Sequence, residues 1–172
     1  MRLFVDRMLA PMKRSLFLET SFWSRLVDSA DARKQRLTES FLDAATLQCR
    51  VLISPTVAAE LSRTPAKDRR ALLLDRLWAA RPEVVTFGAR PEEMALELLA
   101  AGRWSRSRFA DMVHVAYTVL SGADALVTWD VHDLARERPR VVVHAFAVRR
   151  GLRAPLIGTP QEVAEWLGIR IR

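Results

Sequence analysis

Between Arg108 and Ala135 the chain reads RFADMVHVAYTVLSGADALVTWDVHDLA, and no other stretch restricts the fold as strongly. Val113, Ala116, Tyr117 and Leu120 recur at helical spacing, so the segment opens as an amphipathic helix with Asp111 near its start. Ser121-Gly122 ends that helix. Ala125-Leu126-Val127 is too short for another and closes in the polar Thr128-Trp129-Asp130, which predicts a strand buried on both faces with Asp130 at its C-terminal end. Helix, turn and buried strand in this order suit a parallel α/β sheet, whose strand C-termini are where ligands bind. Taken singly, Asp111 is equally well a helix-start acid favoured by the macrodipole, and Asp130 a cap of the following helix.

Two more acids occupy matching places. Ser15-Leu16-Phe17-Leu18 reads as a short apolar strand that delivers Glu19-Thr20-Ser21; Phe22, Trp23, Leu26 and Val27 continue at helical spacing, with Thr20 or Ser21 as the cap. Val51-Leu52-Ile53 is the next strand, and Ser54-Pro55-Thr56 opens a helix that carries Glu60 one turn in. Pro55 suits the first turn, where its missing N–H would have no intrahelical partner. A lone Glu in either place is more often a cap or an exposed helix acid. Four such carboxylates, Glu19, Glu60, Asp111 and Asp130, shift that balance.

The remaining segments alternate in the same way. Ala32 to Cys49 predicts a charged helix with Leu37, Phe41, Leu42, Ala45 and Leu47 inward, and Ala66 to Ala80 another with Leu72, Leu73, Leu77 and Trp78 inward. Glu83 to Phe87 predicts a strand, and Pro91 opens a helix that ends at Ala101-Gly102. Val131 to Arg138 predicts a short helix, and Val141 to Arg150 either a last helix or an edge strand running into one. Ala154 to Glu162 reads as strand, turn and capped helix, ending at Leu167-Gly168. The fold class is therefore α/β, a single three-layer α/β/α domain over residues 15–172 with a central, mostly parallel sheet. Residues 1–14 read as a peripheral arm, or as residues upstream of a start at Met12.

Right-handed crossovers bring successive strand ends to one edge of such a sheet. Four carboxylates gathered there repel, raise one another's pKa values and titrate as a coupled set. A divalent cation resolves that conflict, and ligation by oxygen alone selects Mg²⁺ or Mn²⁺ over Zn²⁺, whose sites more often include His or Cys. The net charge of +7 points to a polyanionic partner. Almost all of it is arginine, a bias that a GC-rich genome produces as readily as phosphate recognition does. Arg103-Trp104-Ser105-Arg106-Ser107-Arg108, just before Asp111, is either a solvated basic loop or a grip for RNA, with Arg103, Arg106 and Arg108 on phosphates and Trp104 stacking a base. A single cysteine, Cys49, excludes an internal disulfide and a thiolate cluster. No apolar run is long enough for a membrane span, so a cytoplasmic protein is expected.

The segments LFLETSFW, LISPTVAAEL, FADMVHVAYTVLSGADALVTWDVHDLA and APLIGTPQEV resemble a PIN domain, the fold of VapC-type toxins and related ribonucleases. The similarity runs from about Leu16 to the C-terminus and is to the branch whose first motif reads Glu-Thr-Ser where most members have Asp-Thr-Ser. It implies a metal-dependent RNA endonuclease with its four acids at Glu19, Glu60, Asp111 and Asp130. That branch usually has Asn where Asp130 stands and His where Asp133 stands, so Asp130 or Asp133 completes the site; Asp130 is preferred because it directly follows the strand. His114 also matches the family, and it either orients Asp111 or is a satisfied core histidine. Thr20, Ser21 and Thr128 would brace the carboxylates.

The resemblance further implies single-stranded RNA as substrate, an antitoxin protein as partner if the chain is a toxin, and a homodimer. His132 and His144 lack a Ser or Cys partner for a hydrolase triad, and neither a P-loop nor a dinucleotide fingerprint is present. The competing reading is a catalytically degenerate PIN fold that binds RNA or protein. Glu19 lengthens the usual first ligand by one methylene, and the altered fourth motif shifts the ligand set.

Overall fold

The computed structural model describes residues 13–172, so all but Lys13 and Arg14 of the expected N-terminal arm lie outside the described residues. The central sheet has five strands, all parallel, where a mostly parallel one is expected: β1 (Ser15–Leu18), β2 (Arg50–Ile53), β3 (Glu83–Val84), β4 (Ala125–Val127) and β5 (Leu156–Gly158). Their spatial order is β3-β2-β1-β4-β5, which puts β1 at the centre. Leu16, Phe17 and Leu18 are fully buried and pair with β4 in the register Leu16 to Ala125 and Leu18 to Val127. A strand covered on both faces needs no polar alternation, which is why both segments read as continuous apolar runs.

Among the described residues the connections are helical: α1 (Thr20–Arg25), α2 (Ala32–Gln48), α3 (Pro55–Ser62), α4 (Lys67–Ala79), α5 (Arg90–Gly102), α6 (Phe109–Leu120), α7 (Glu137–Arg149) and α8 (Pro160–Leu167). Helices α5, α6 and α7 pack together, and α2 packs on α1 and α8. This gives the expected three layers. Helix α8 begins with a reciprocal capping box between Thr159 and Glu162 and ends in Gly168 with left-handed φ, as Pro160 and Gly168 predict. Among the described residues no helix is long and apolar enough to cross a membrane.

Several local expectations are corrected. Strand β3 covers only Glu83–Val84, because the chain leaves the sheet edge before Phe87. Leu47, Leu72 and Trp78 stay exposed, at 76%, 46% and 50%, and buried Thr38 takes an inward position of α2 instead. Thr38 is satisfied there, donating to the Lys34 carbonyl at 2.6 Å and accepting from the Trp129 indole at 2.9 Å. Residues 131–136 form a turn rather than a helix, and the helix runs from Glu137 to Arg149. Pro139 explains that boundary, since proline fits the first helical turn and breaks an interior one.

Candidate metal centre

The C-terminal ends of β1 and β4 are adjacent, and the loops leaving them build one wall of a cleft of about 420 Å³. It is lined by Glu19, Thr20, Ser21, Glu60, Asp111, His114 and Asp130, together with Ser24, Arg25 and Asp28. The four acids marked by the sequence thus reach one cleft from β1, α3, α6 and β4. They do not form one cluster.

The closest group is Asp111, Asp130 and Asp133, whose carboxylates each place an oxygen within 4.8 Å of the others. The choice between Asp130 and Asp133 is therefore not exclusive. Asp130 follows β4 and closes the next turn, with Oδ1 accepting the N–H groups of His132 at 3.2 Å and Asp133 at 2.8 Å. That turn brings Asp133 back toward Asp111. Burial raises the pKa of Asp111 to about 6, reinforced by the charges of Asp130 and Asp133 and opposed by His114 and Arg108.

Glu19 and Glu60 are held by hydrogen bonds instead. Glu19 caps α1, a role the sequence gives to Thr20 or Ser21; its buried carboxylate accepts the Ser21 N–H at 2.7 Å and also the Ser21 hydroxyl. Ser21 Oγ in turn accepts the Trp129 N–H at 2.8 Å and lies 3.4 Å from Thr128 Oγ1, which accepts the Asp130 N–H at 2.8 Å. One serine therefore locks the loop after β1 to the loop after β4.

Glu60 accepts the Thr20 hydroxyl and lies 3.1 Å from His114 Nε2. His114 is buried and pairs with Glu60, so orienting Asp111 is not its direct contact. Burial works against both charges, but their mutual attraction wins: Glu60 sits below its ordinary pKa, helped by Thr20 and Arg63, and His114 sits above its own. His114 Nδ1 has no hydrogen-bond partner among the described residues.

The basic loop before α6 divides. Arg103 and Arg106 are exposed. Trp104 is half-buried against the core, and a Cβ on Gly102 would lie 2.3 Å from its ring. The Arg108 guanidinium covers that ring at 5.2 Å from its centroid. The indole thus packs within its own loop, beneath Arg108. Ser24, Arg25 and Asp28 were not marked by the sequence, although Ser24 and Arg25 stand one helical turn beyond Thr20 and Ser21. Arg25 is paired with Asp28 at 2.7 Å.

Three carboxylates that offer only oxygen, repel one another and remain open on one side suit a hard divalent cation. A parallel α/β/α fold with acids at its central strand ends defines the class as a carboxylate-site α/β protein. Residues 16–136 match the PIN domain family, well over half of the chain, and the chain belongs to that family. Among solved structures it is similar to Mycobacterium tuberculosis VapC20, a sarcin-ricin loop cleaving toxin, at 22% identity and a TM-score of 0.55, over 68% of this chain and 91% of that one. Rickettsia felis VapBC2, bound to a DNA fragment from its promoter, is similar at 16% identity and a TM-score of 0.54, over 83% and 96%. Both share the fold. A comparison with curated proteins finds no sequence match.

Proposed function

We propose that this PIN domain is a divalent-metal-dependent endoribonuclease and the toxin of a toxin–antitoxin pair. The observation that carries the reading is the oxygen-only trio of Asp111, Asp130 and Asp133, the first two of which line the cleft. Asp111, Asp130 and Asp133 would hold Mg²⁺ or Mn²⁺, with Glu19 and Glu60 completing the negative field from the β1 and α3 sides. Such an ion acidifies water and neutralises charge on a phosphoryl oxygen. The chain's own residues fix the geometry: Ser21 and Thr128 hold the two acid-bearing loops in register, and His114 fixes Glu60. Arg25 in the cleft lining, with Arg103, Arg106 and Arg108 in the loop before α6, would supply contacts to phosphates that an acidic floor alone would repel.

The toxin assignment rests on the family and on the likeness to VapC20, itself named as a sarcin-ricin loop cleaving toxin. An antitoxin as partner goes with the toxin reading, and the likeness to VapBC2 supports it. Single-stranded RNA as substrate, residues 15–172 as the nuclease unit, a homodimer and a cytoplasmic site of action complete the proposal.

The test is cleavage of a mixed single-stranded RNA pool with Mn²⁺, with Mg²⁺ and with EDTA, alongside Asp111→Asn as contamination control. Metal-dependent cutting that the variant loses supports the nuclease. RNA retained without cutting by either protein supports the degenerate binding module.

A further inference from the structure

Asp133 differs from the other two members of the carboxylate trio in already having a cation. Its carboxylate is ion-paired with Arg108, whose side chain is only 18% exposed, against 53% for that of Asp133. The arginine is held in place by contacts that do not depend on this carboxylate. Its guanidinium lies over Trp104, and the Nη that reaches the carboxylate also donates to the Asp133 backbone carbonyl at 2.9 Å. Both hydrogen bonds use the same Nη, so Nε and the other Nη have no acceptor among the described residues. A guanidinium fixed on an aromatic shelf, with donors left over and beside a carboxylate cluster, is equipped for one further bidentate partner.

We infer that Arg108 is a built-in counter-ion, displaced from the Asp133 carboxylate when a divalent cation binds and thereby freed to take a phosphate oxygen of the bound strand. This rests on the cation site proposed above. Without a divalent ion, three carboxylates within 4.8 Å repel, and the single charge of Arg108 offsets part of that repulsion. A doubly charged ion between Asp111, Asp130 and Asp133 attracts all three more strongly, and the exposed Asp133 side chain is the one free to turn. Arg108 does not follow it, because the Trp104 ring and the Asp133 carbonyl keep hold of it. Its vacated donors then stand beside the carboxylate trio, where incoming RNA brings the anionic oxygens that match their fork. Ion binding and strand binding are coupled through one side chain, and the site keeps a partner for Asp133 in each state.

The coupling predicts two effects of opposite sign from one substitution. Arg108→Gln removes the competitor for Asp133, so Mn²⁺ titrated into the full-length protein without RNA binds more tightly, by up to about fivefold. The same variant loses the phosphate contact, so its KM for a single-stranded RNA at saturating Mn²⁺ rises about tenfold. Arg108→Lys keeps the charge without the fork; its Mn²⁺ affinity stays close to wild type while KM still rises. In an Asp133→Asn background Arg108→Gln raises Mn²⁺ affinity far less, because the shared carboxylate is gone and only the longer-range field of Arg108 at Asp111 remains. Weaker or unaltered Mn²⁺ binding in Arg108→Gln, with wild type binding normally, overturns the counter-ion role and leaves the cation site standing. Absence of Mn²⁺ binding by the wild type overturns the cation site and this inference with it.

Discussion

His114 Nε2 lies 3.1 Å from Glu60 Oε2 and joins α6 to α3 in the wall of the acid cleft, which Asp111, one turn earlier on α6, also lines. One helix thus carries a carboxylate of the trio and, three residues on, the imidazole that fixes a carboxylate outside it. His114→Ala leaves Glu60 with one fewer partner and opens a void in the core, and about 1–3 kcal/mol of stability should be lost in urea denaturation. His114→Gln, with an amide N–H to offer Glu60, should lose less.

The same pair sets a pH signature. His114 is raised above its ordinary 6.5, so its contribution is complete below that pH and is lost as pH climbs through the folded value. Glu60 is lowered from 4.5, so its contribution is complete above that pH and is lost as pH falls through the folded value. The stability deficit of His114→Ala should therefore be largest between pH 4.5 and 6.5 and shrink on either side. A deficit independent of pH would show that the imidazole only fills space.

Asp111 is shifted in the sense opposite to Glu60. Its folded pKa of about 6 exceeds the ordinary 3.8, so the folded chain holds more protons than the unfolded one in between, and the metal-free protein loses stability as pH rises through that window. Asp111→Asn carries no charge to repel Asp130 and Asp133. In EDTA at pH 7.5 its thermal midpoint should exceed that of the wild type, and near pH 4 the two should converge. Added Mn²⁺ should raise the wild-type midpoint by linkage and move the variant little. Since the ion and the proton compete for Asp111, the wild-type response should fade below about pH 6. An equal Mn²⁺ response in both proteins would exclude Asp111 as a ligand.

How far the sequence carries depends on the range of the interaction. Strands β1, β2 and β4 were legible because burial on both faces leaves an apolar run with polar ends, and the α8 cap was legible because Thr159, Pro160 and Glu162 are local. The two-residue β3 was overextended because its end is set by the sheet edge and leaves no local mark. The start of α7 was marked by Pro139, a signal outweighed by the apolar residues before it. Four acids in one cleft followed from the βα alternation alone. Their division into a trio and two braced carboxylates did not, because it rests on contacts such as Glu60 to His114 and Ser21 to Trp129, which join residues far apart in the chain.

Asp130 and Asp133 should separate in mutagenesis, because only Asp130 also holds the backbone. Asp130→Ala removes the acceptor for the His132 and Asp133 N–H groups, and it should cost about 1 kcal/mol of stability as well as metal affinity. Asp133→Asn should weaken Mn²⁺ binding with almost no change in the metal-free midpoint, because the Asp133 side chain is exposed and its backbone contact to Arg108 survives. Calorimetric titration of both variants checks this. Unchanged Mn²⁺ affinity in Asp133→Asn would return the fourth acid to Asp130 alone.

Ser21 is the residue through which the first acid depends on the last. Its hydroxyl donates to Glu19 and accepts from the Trp129 N–H, so its loss leaves the buried Glu19 carboxylate with the Ser21 N–H alone and leaves the Trp129 N–H unpaired. Asp130 stands next to Trp129, and slack in that loop reaches the trio directly. Ser21→Ala should therefore cost about 1–2 kcal/mol of stability and about tenfold or more in Mn²⁺ affinity, although Ser21 itself is not placed among the ligands. Its affinity for RNA in EDTA should stay near wild type, because the arginines of the 103–108 loop are untouched. Ser21→Thr, which restores the hydroxyl, should recover stability and Mn²⁺ binding together. Recovery of stability without Mn²⁺ binding would mean that the bridge supports the fold but does not register the two acid-bearing loops.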